Sequence, residues 1–435
     1  MILRQSTRPI PSLSIECDGT APSSGSLHLI ALLTAIATFP LIFMGGLVTS
    51  HHAGMSVPDW PNSYGYNMFL FPPNQWVGGI LYEHTHRLMA TVVGFLSVVL
   101  VLWAWGPAAR PSVRRWIGDG ALVAGIAAGL FAAGAALGRH STSATFHELS
   151  QGAVTAAGLA LVLLVAYLAR QPEPRRWVRW LCACILGVVL LQGLLGGLRV
   201  VLVDLDLAIV HACLAQAFFC LATLAAIVTS RWWTSPSLSS PSSALRRIAW
   251  LGIATVSLVY LQLIVGALMR HFDAGLAIPD LPLAYGKWLP PLTVDGLAAI
   301  NHKRAFTLNL DPVTLGQVWL HFGHRIGAVL VSGFAVTFAC LVLRRRQNRL
   351  VLPALALIGL IAAQVTLGVL TVLLRKPADV ASAHVAVGAL VLVTSFLLTV
   401  RLLRINHGKP KPVAPHREPI SAGDRRAVGD LLVTG

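Results

Sequence analysis

Two short runs hold the groups in this sequence that could do chemistry: Glu83-His84-Thr85-His86-Arg87 and His321-Phe322-Gly323-His324-Arg325. Each leads into a long apolar segment, a setting in which ionisable side chains are costly and are usually kept for function. A neutral imidazole offers a nitrogen lone pair to a metal, a carboxylate accepts a proton or steadies a positive charge, and a guanidinium pairs with an anion. Two more histidines, His211 and His384, stand at the starts of later apolar segments. Each follows a glutamine in the preceding one, Gln192 and Gln364, by 19 and 20 residues.

The segments that must position these groups are membrane helices. Hydrophobic residues make up 55% of the 435 residues and charged residues only 11%, less than half the share usual for a soluble chain. The apolar runs are continuous rather than alternating, and each is near the ~20 residues that cross a bilayer as a helix. Ten such runs fall at about 28–50, 84–105, 117–138, 147–169, 178–198, 208–229, 247–269, 319–343, 350–374 and 382–403. The expectation is an all-α polytopic membrane protein with membrane lipid around it. A net charge of +16 would suggest nucleic acid in a soluble chain, but here the arginines cluster in short loops, so no nucleic-acid partner is expected. Loops with Arg110, Arg114 and Arg115, with Arg170, Arg175, Arg176 and Arg179, with Arg231, Arg246 and Arg247, and with Arg344, Arg345, Arg346 and Arg349 alternate with loops of few cations. Both termini are therefore expected in the cytoplasm of a bacterial-type plasma membrane, with the long loops 51–82 and 270–318 outside. Cys182, Cys184, Cys213, Cys220 and Cys340 lie in apolar runs and Cys17 in the N-terminal tail, with neither disulfide nor zinc spacing.

The chain repeats itself. Ala53-Gly54-Met55-Ser56-Val57-Pro58-Asp59-Trp60-Pro61, continuing to Tyr64-Gly65, matches Ala274-Gly275-Leu276-Ala277-Ile278-Pro279-Asp280-Leu281-Pro282, continuing to Tyr285-Gly286. Each copy follows a helix ending in a Gly-rich turn (Gly45-Gly46-Leu47-Val48 and Gly266-Ala267-Leu268-Met269) and precedes a His-Arg pair. Repetition in this order marks a duplicated unit. The expectation is two tandem, pseudo-symmetric four-helix bundles in parallel orientation, with a helical hairpin at 117–170 inserted in the first. The divisions are a tail at 1–27, an N-terminal bundle at 28–230, a Ser/Pro-rich linker at 231–246, a C-terminal bundle at 247–404 and a tail at 405–435.

The histidines His86, His211, His324 and His384 occupy matched positions near the outer ends of their helices. Two imidazoles on facing helices of a bundle suit axial ligation of a haem iron from both sides. His86 with His211 would hold one haem and His324 with His384 another, and Arg87 and Arg325 are candidates to pair with haem propionates. Glu83 stands one helical turn before His86, where the second unit has His321. A carboxylate at one site alone suggests chemistry there. His84 reads as interfacial, His147 as structural, and His51, His52, His271 and His302 have no assigned role.

These residues together resemble the heme A synthase family: Gly54 to Gly65, the Glu83-to-Arg87 run, Gln192 with His211, and the second copies around Pro279-Asp280, His324-Arg325 and Gln364 with His384. The resemblance covers most of 28–403 apart from the inserted hairpin. It implies oxidation of the C8 methyl of heme O to the formyl of heme A for a terminal oxidase, by successive hydroxylation and loss of water from a geminal diol. It also implies that His86 and His211 flank the substrate, that Glu83 is the catalytic carboxylate and that His324 and His384 ligate a resident heme B. Implied partners are heme O synthase, the terminal oxidase assembly machinery, an electron acceptor of unknown identity and a possible second copy of the chain. The sequence departs from the family in lacking the cysteine pair that some members carry in the first outer loop, and in having ten apolar runs instead of eight. The additional hairpin leaves open a pairing of His147 in place of His211, although the Gln192/Gln364 match favours His211. A non-catalytic di-haem electron carrier and a haem assembly factor are the competing readings. The Asp-rich magnesium–diphosphate motifs of a heme O synthase are absent from the sequence.

Overall fold

The computed structural model describes residues 25–105, 173–202, 206–235 and 242–407. The hairpin expected at 117–170, His147 with it, and all but residues 25–27 and 405–407 of the two expected tails lie outside the described residues. Eight helices in the described residues are long and apolar enough to cross a membrane. They are α1 (Gly25–Ser50), α2 (Gly79–Ala104), α3 (Arg176–Leu202), α4 (Asp206–Thr229), α5 (Ser243–His271), α7 (Leu315–Leu343), α8 (Asn348–Leu373) and α9 (Ala378–His407), with a shorter α6 (Val294–Lys303) in the second long loop. No strand occurs among the described residues beyond two isolated bridges. The protein is an all-α, integral membrane protein.

Helices form here because a chain in lipid has to satisfy its backbone internally. The polar side chains within them follow the same logic. Thr34, Thr38, Ser97, Thr255, Ser395 and Thr399 each donate to the carbonyl four residues back, so no hydroxyl is stranded. Helix α7 opens with a capping box, Thr314 with Gln317, and Ser242 caps α5 through the Leu245 amide.

The helices close into two four-membered rings. In the first, α1 packs on α2 and α4, and α3 packs on α2 and α4; in the second, α5 packs on α7 and α9, and α8 packs on α7 and α9. Each ring has its own apolar core, one including Leu27, Leu100, Ile185 and Phe218, the other Ile248, Phe338, Leu357 and Leu398. The rings meet where α1 and α4 pack against α9 and α4 against α5. Burial reports the same seam: 56% of the apolar window of α4 and 50% of that of α9 is covered, against 22–33% for the other six helices. Leu29, Leu190, Trp250, Val329 and Leu352 are exposed on those other helices, as lipid-facing residues should be. Small residues allow the close approaches, as at Gly46, where an added Cβ would stand 3.2 Å from the Ser382 Cβ.

The helices start earlier than the hydropathy suggests. Helix α2 begins at Gly79 and α7 at Leu315, so Glu83 and His321 sit beyond the first turn rather than at a boundary. Polar residues at the helix entrance lower local hydropathy without breaking the helix. The second long loop also contains α6, too short and polar to register as an apolar run.

Candidate functional site

The two long loops fold alike. Asp59 accepts from the amides of Tyr64 and Gly65, both at 2.8 Å, and Asp280 from those of Tyr285 and Gly286 at 2.9 and 2.8 Å. Tyr64 donates its hydroxyl to the Ser56 carbonyl and Tyr285 to that of Ala277. Burial pushes the Tyr285 phenol up, which keeps it a neutral donor. The turns need left-handed backbone at Tyr64-Gly65 and Tyr285-Gly286, and the glycines adopt it without strain.

The arginines of the His-Arg pairs lock these loops onto their helices. Arg87 donates through Nη1 to the Asp59 and Asn62 carbonyls and through Nη2 to the Val57 carbonyl and to Glu83 Oε1. Arg325 donates to the Leu283 and Ile278 carbonyls at 3.0 and 2.8 Å. The propionate role expected of Arg87 and Arg325 thus meets a competing use. His84 proves fully buried, its Nδ1 3.2 Å from Ser63 Oγ and its ring against Phe71 and Trp76. That corrects its interfacial reading: the loop folds back over this helix face.

Under each loop an imidazole pair faces across its ring of helices. The centroids of His86 and His211 are 6.5 Å apart with planes at 70°, and those of His324 and His384 are also 6.5 Å apart, at 65°. Two metal–imidazole bonds of about 2 Å, with roughly 1 Å from each nitrogen to its ring centre, sum to about 6 Å. The spacing therefore suits one iron between each pair. Each ring lies against a glycine of the neighbouring helix. Added Cβ atoms on Gly45, Gly196, Gly266 and Gly368 would stand 3.2, 3.4, 3.3 and 3.0 Å from Cε1 of His86, His211, His324 and His384. One of the four rings is oriented from behind by a backbone group, as metal-binding histidines require, and a second is braced through its main chain. His384 Nδ1 is 3.1 Å from the Gln364 carbonyl, and Gln192 Nε2 donates to the His211 carbonyl at 3.0 Å. No cluster of three or more His, Cys, Asp or Glu suited to a compact metal site occurs among the described residues.

Glu83 and His321 occupy the same place with different chemistry. Glu83 Oε2 accepts from the Val57 amide at 2.8 Å, and His321 Nδ1 accepts from the matching Ile278 amide at 3.2 Å. The staple is shared, but only the first unit carries a carboxylate, 4% exposed, held 3.0 Å from Arg87 and lining the cavity beside His86.

A continuous cavity of about 2100 Å³ contains both imidazole pairs, well above the ~300–1,000 Å³ of an ordinary small-ligand cleft. It also exposes residues that the sequence reading left out. Arg199 lines the first site; hydropathy ended its helix at 198, so it counted as a loop charge, whereas α3 continues to Leu202. Arg270 was likewise assigned to a loop but lies on α5, from where it donates to the Gly46 carbonyl and Ser50 Oγ across the seam. Trp60 packs on Gly197, where a Cβ would meet its ring at 2.5 Å; the second unit has the smaller Leu281 and the larger Val369 at the matching positions. Gln262 bonds the carbonyl of His324 at 2.8 Å, a contact that Leu41 in the matching position of the first unit lacks the side chain to make.

Residues 151–396 match the family of cytochrome oxidase assembly proteins, COX15-CtaA. The chain belongs to this family. Among relatives, a heme A synthase of Caulobacter vibrioides is 31% identical over 57% of this chain and 70% of its own length. Heme A synthase COX15 of Mus musculus is 29% identical over 57% of this chain and 60% of its own length. A heme A synthase of Rhodopseudomonas palustris (strain HaA2) matches over 86% of this chain and 89% of its own length at 27% identity. The family description and its membrane helices agree with a role in cytochrome oxidase assembly.

Proposed function

We propose that the chain is a heme A synthase, an oxidoreductase that converts the C8 methyl of heme O to a formyl group, with the first unit as the substrate site. The observation that carries this reading is the asymmetry of a duplicated site: two imidazole pairs with the same 6.5 Å separation, and at the matched buried position beside them a carboxylate, Glu83, in one unit and an imidazole, His321, in the other. His86 and His211 would hold the iron of heme O. His324 and His384 would hold a resident heme B, which supplies one-electron redox capacity when bound. Similarity to proteins named heme A synthase supports the substrate and product.

The chain's own residues orient the substrate and manage charge. The glycines beside the four rings let neighbouring helices approach and fix the ring positions. Glu83 is aimed by the Val57 amide and Arg87, so its negative charge stands ready at the cavity wall without reorganisation. Oxidation of a methyl removes electrons in pairs and leaves carbon electron-poor. A fixed carboxylate lowers the energy of that developing positive charge or takes the proton of the attacking water. The loop with Trp60 covers the first site. Both termini would lie on the cytoplasmic side, with the haem sites toward the outer face. Heme O synthase, a terminal oxidase under assembly and an electron acceptor are the partners that this activity requires.

The test is Glu83→Gln in the full-length protein, with haems extracted and identified by mass and absorbance. Heme O should accumulate, with heme B retained and heme A lost; normal heme A formation would reject the assignment. Heme B alone at both sites of the unaltered protein would favour a di-haem electron carrier.

A further inference from the structure

The part of the cavity beside the first imidazole pair contains a cation that neither the loop clamp nor that pair uses. Arg199 projects from α3 one turn beyond Gly196, the glycine that backs the His211 ring, so its side chain shares that face. It lines the cavity together with Glu83, His86 and His211. Its Nε is buried without a partner. The loop leaves room for the guanidinium: a Cβ on Gly54 would fall 1.9 Å from Arg199 Nη2, whereas the matching Gly275 meets nothing nearer than the Lys376 side chain at 3.4 Å. The second unit has Thr371 at the matching position, its hydroxyl turned back to the Leu367 carbonyl at 2.7 Å. Arg87, the alternative cation, has both Nη atoms spent on three loop carbonyls and Glu83.

We infer that Arg199 is the anion-binding residue of the first site and takes a propionate carboxylate of the bound haem, an assignment that rests on the haem reading above. A buried guanidinium with a free edge, beside an imidazole pair and under a notched loop, is built for a carboxylate that arrives with the ligand. The second unit carries Thr371 at that position; its Arg325 Nε is likewise buried without a partner, but both Arg325 Nη atoms are engaged by loop carbonyls. The pairing fixes which edge of the macrocycle faces the loop, and so which edge faces Glu83.

The experiment uses the full-length protein and two probes, ferric protoporphyrin IX and its dimethyl ester, in which both propionates are uncharged. Binding is followed by the absorbance of the ligated iron, and the first-site component is the one that His86→Ala removes. The unaltered protein should prefer the free acid by roughly tenfold to a hundredfold, the range for a hydrogen bond to a charged group. Arg199→Gln should lose that preference while leaving ester affinity unchanged, and Arg199→Lys should restore part of it. A preference that survives Arg199→Gln, or an equal loss for both probes, overturns the assignment. So does an unaltered first site that does not distinguish the probes, a result needing no variant. If His86→Ala removes no component, the haem reading fails and this inference with it.

Discussion

Gly368 offers the most direct test of how the fold holds its imidazoles. A Cβ there would stand 3.0 Å from His384 Cε1, 3.6 Å from Nδ1 and 3.9 Å from Nε2. Carbon atoms settle at about 3.5–4.0 Å, so Gly368→Ala must move ring or helix by roughly half an ångström or more. The ring has little freedom to yield, because its Nδ1 is held 3.1 Å from the Gln364 carbonyl. Overpacking of this kind costs about 1–3 kcal/mol. If the cost falls on ring position, heme B binding at the second site weakens about fivefold to 150-fold, at 1.4 kcal/mol per factor of ten. Gly193→Ala, where nothing lies within 4 Å, is the control; it should keep its haem, and replacing glycine within a helix should raise thermal stability by up to ~1 kcal/mol. The assay is heme B per mole of purified protein together with the absorbance spectrum of its ligated iron. Retention of heme B and an unchanged spectrum in both Gly368→Ala and Gly368→Val would refute the reasoning.

Glu83→His should fold and keep its haems, because His321 already makes the same amide contact in the second unit, yet it should form no heme A; haem extraction reads both results. Gly197→Val should disturb the first loop, and Trp60→Leu should restore it in the double variant, since the second unit carries Leu281 and Val369 at the matching positions; recovery of haem content and thermal stability checks this. Arg304→Ala leaves the carbonyls of Leu276 and Asp311 without their buried donor, while the Ala277 carbonyl keeps the Tyr285 hydroxyl, and should cost about 2 kcal/mol or more. Limited proteolysis should then cut residues 288–313 much faster, and an unchanged cleavage rate would show that Arg304 does not hold that loop.

Helix number within the described residues, the duplication and the four histidines were legible in the sequence because each depends on local or periodic information. Lipid demands unbroken apolar helices, so hydropathy locates them; a duplicated unit repeats its turn residues, so Pro58-Asp59 and Pro279-Asp280 announce matching loops. The matching of Glu83 with His321 also follows from register, three residues before the histidine in each copy. The use of charges did not follow from pattern. Arg87 and Arg325 look like free cations in sequence, yet loops more than twenty residues away fold back to engage them. Arg199 and Arg270 look like loop charges because the apolar runs at 178–198 and 247–269 stop four and two residues before the helix ends. His84 became buried only when Phe71 and Trp76 closed over it. The physical reason is common to all of these: an ionisable side chain is assigned by what desolvates it and which donors or acceptors reach it. Those partners come from distant segments, so tertiary structure alone decides them.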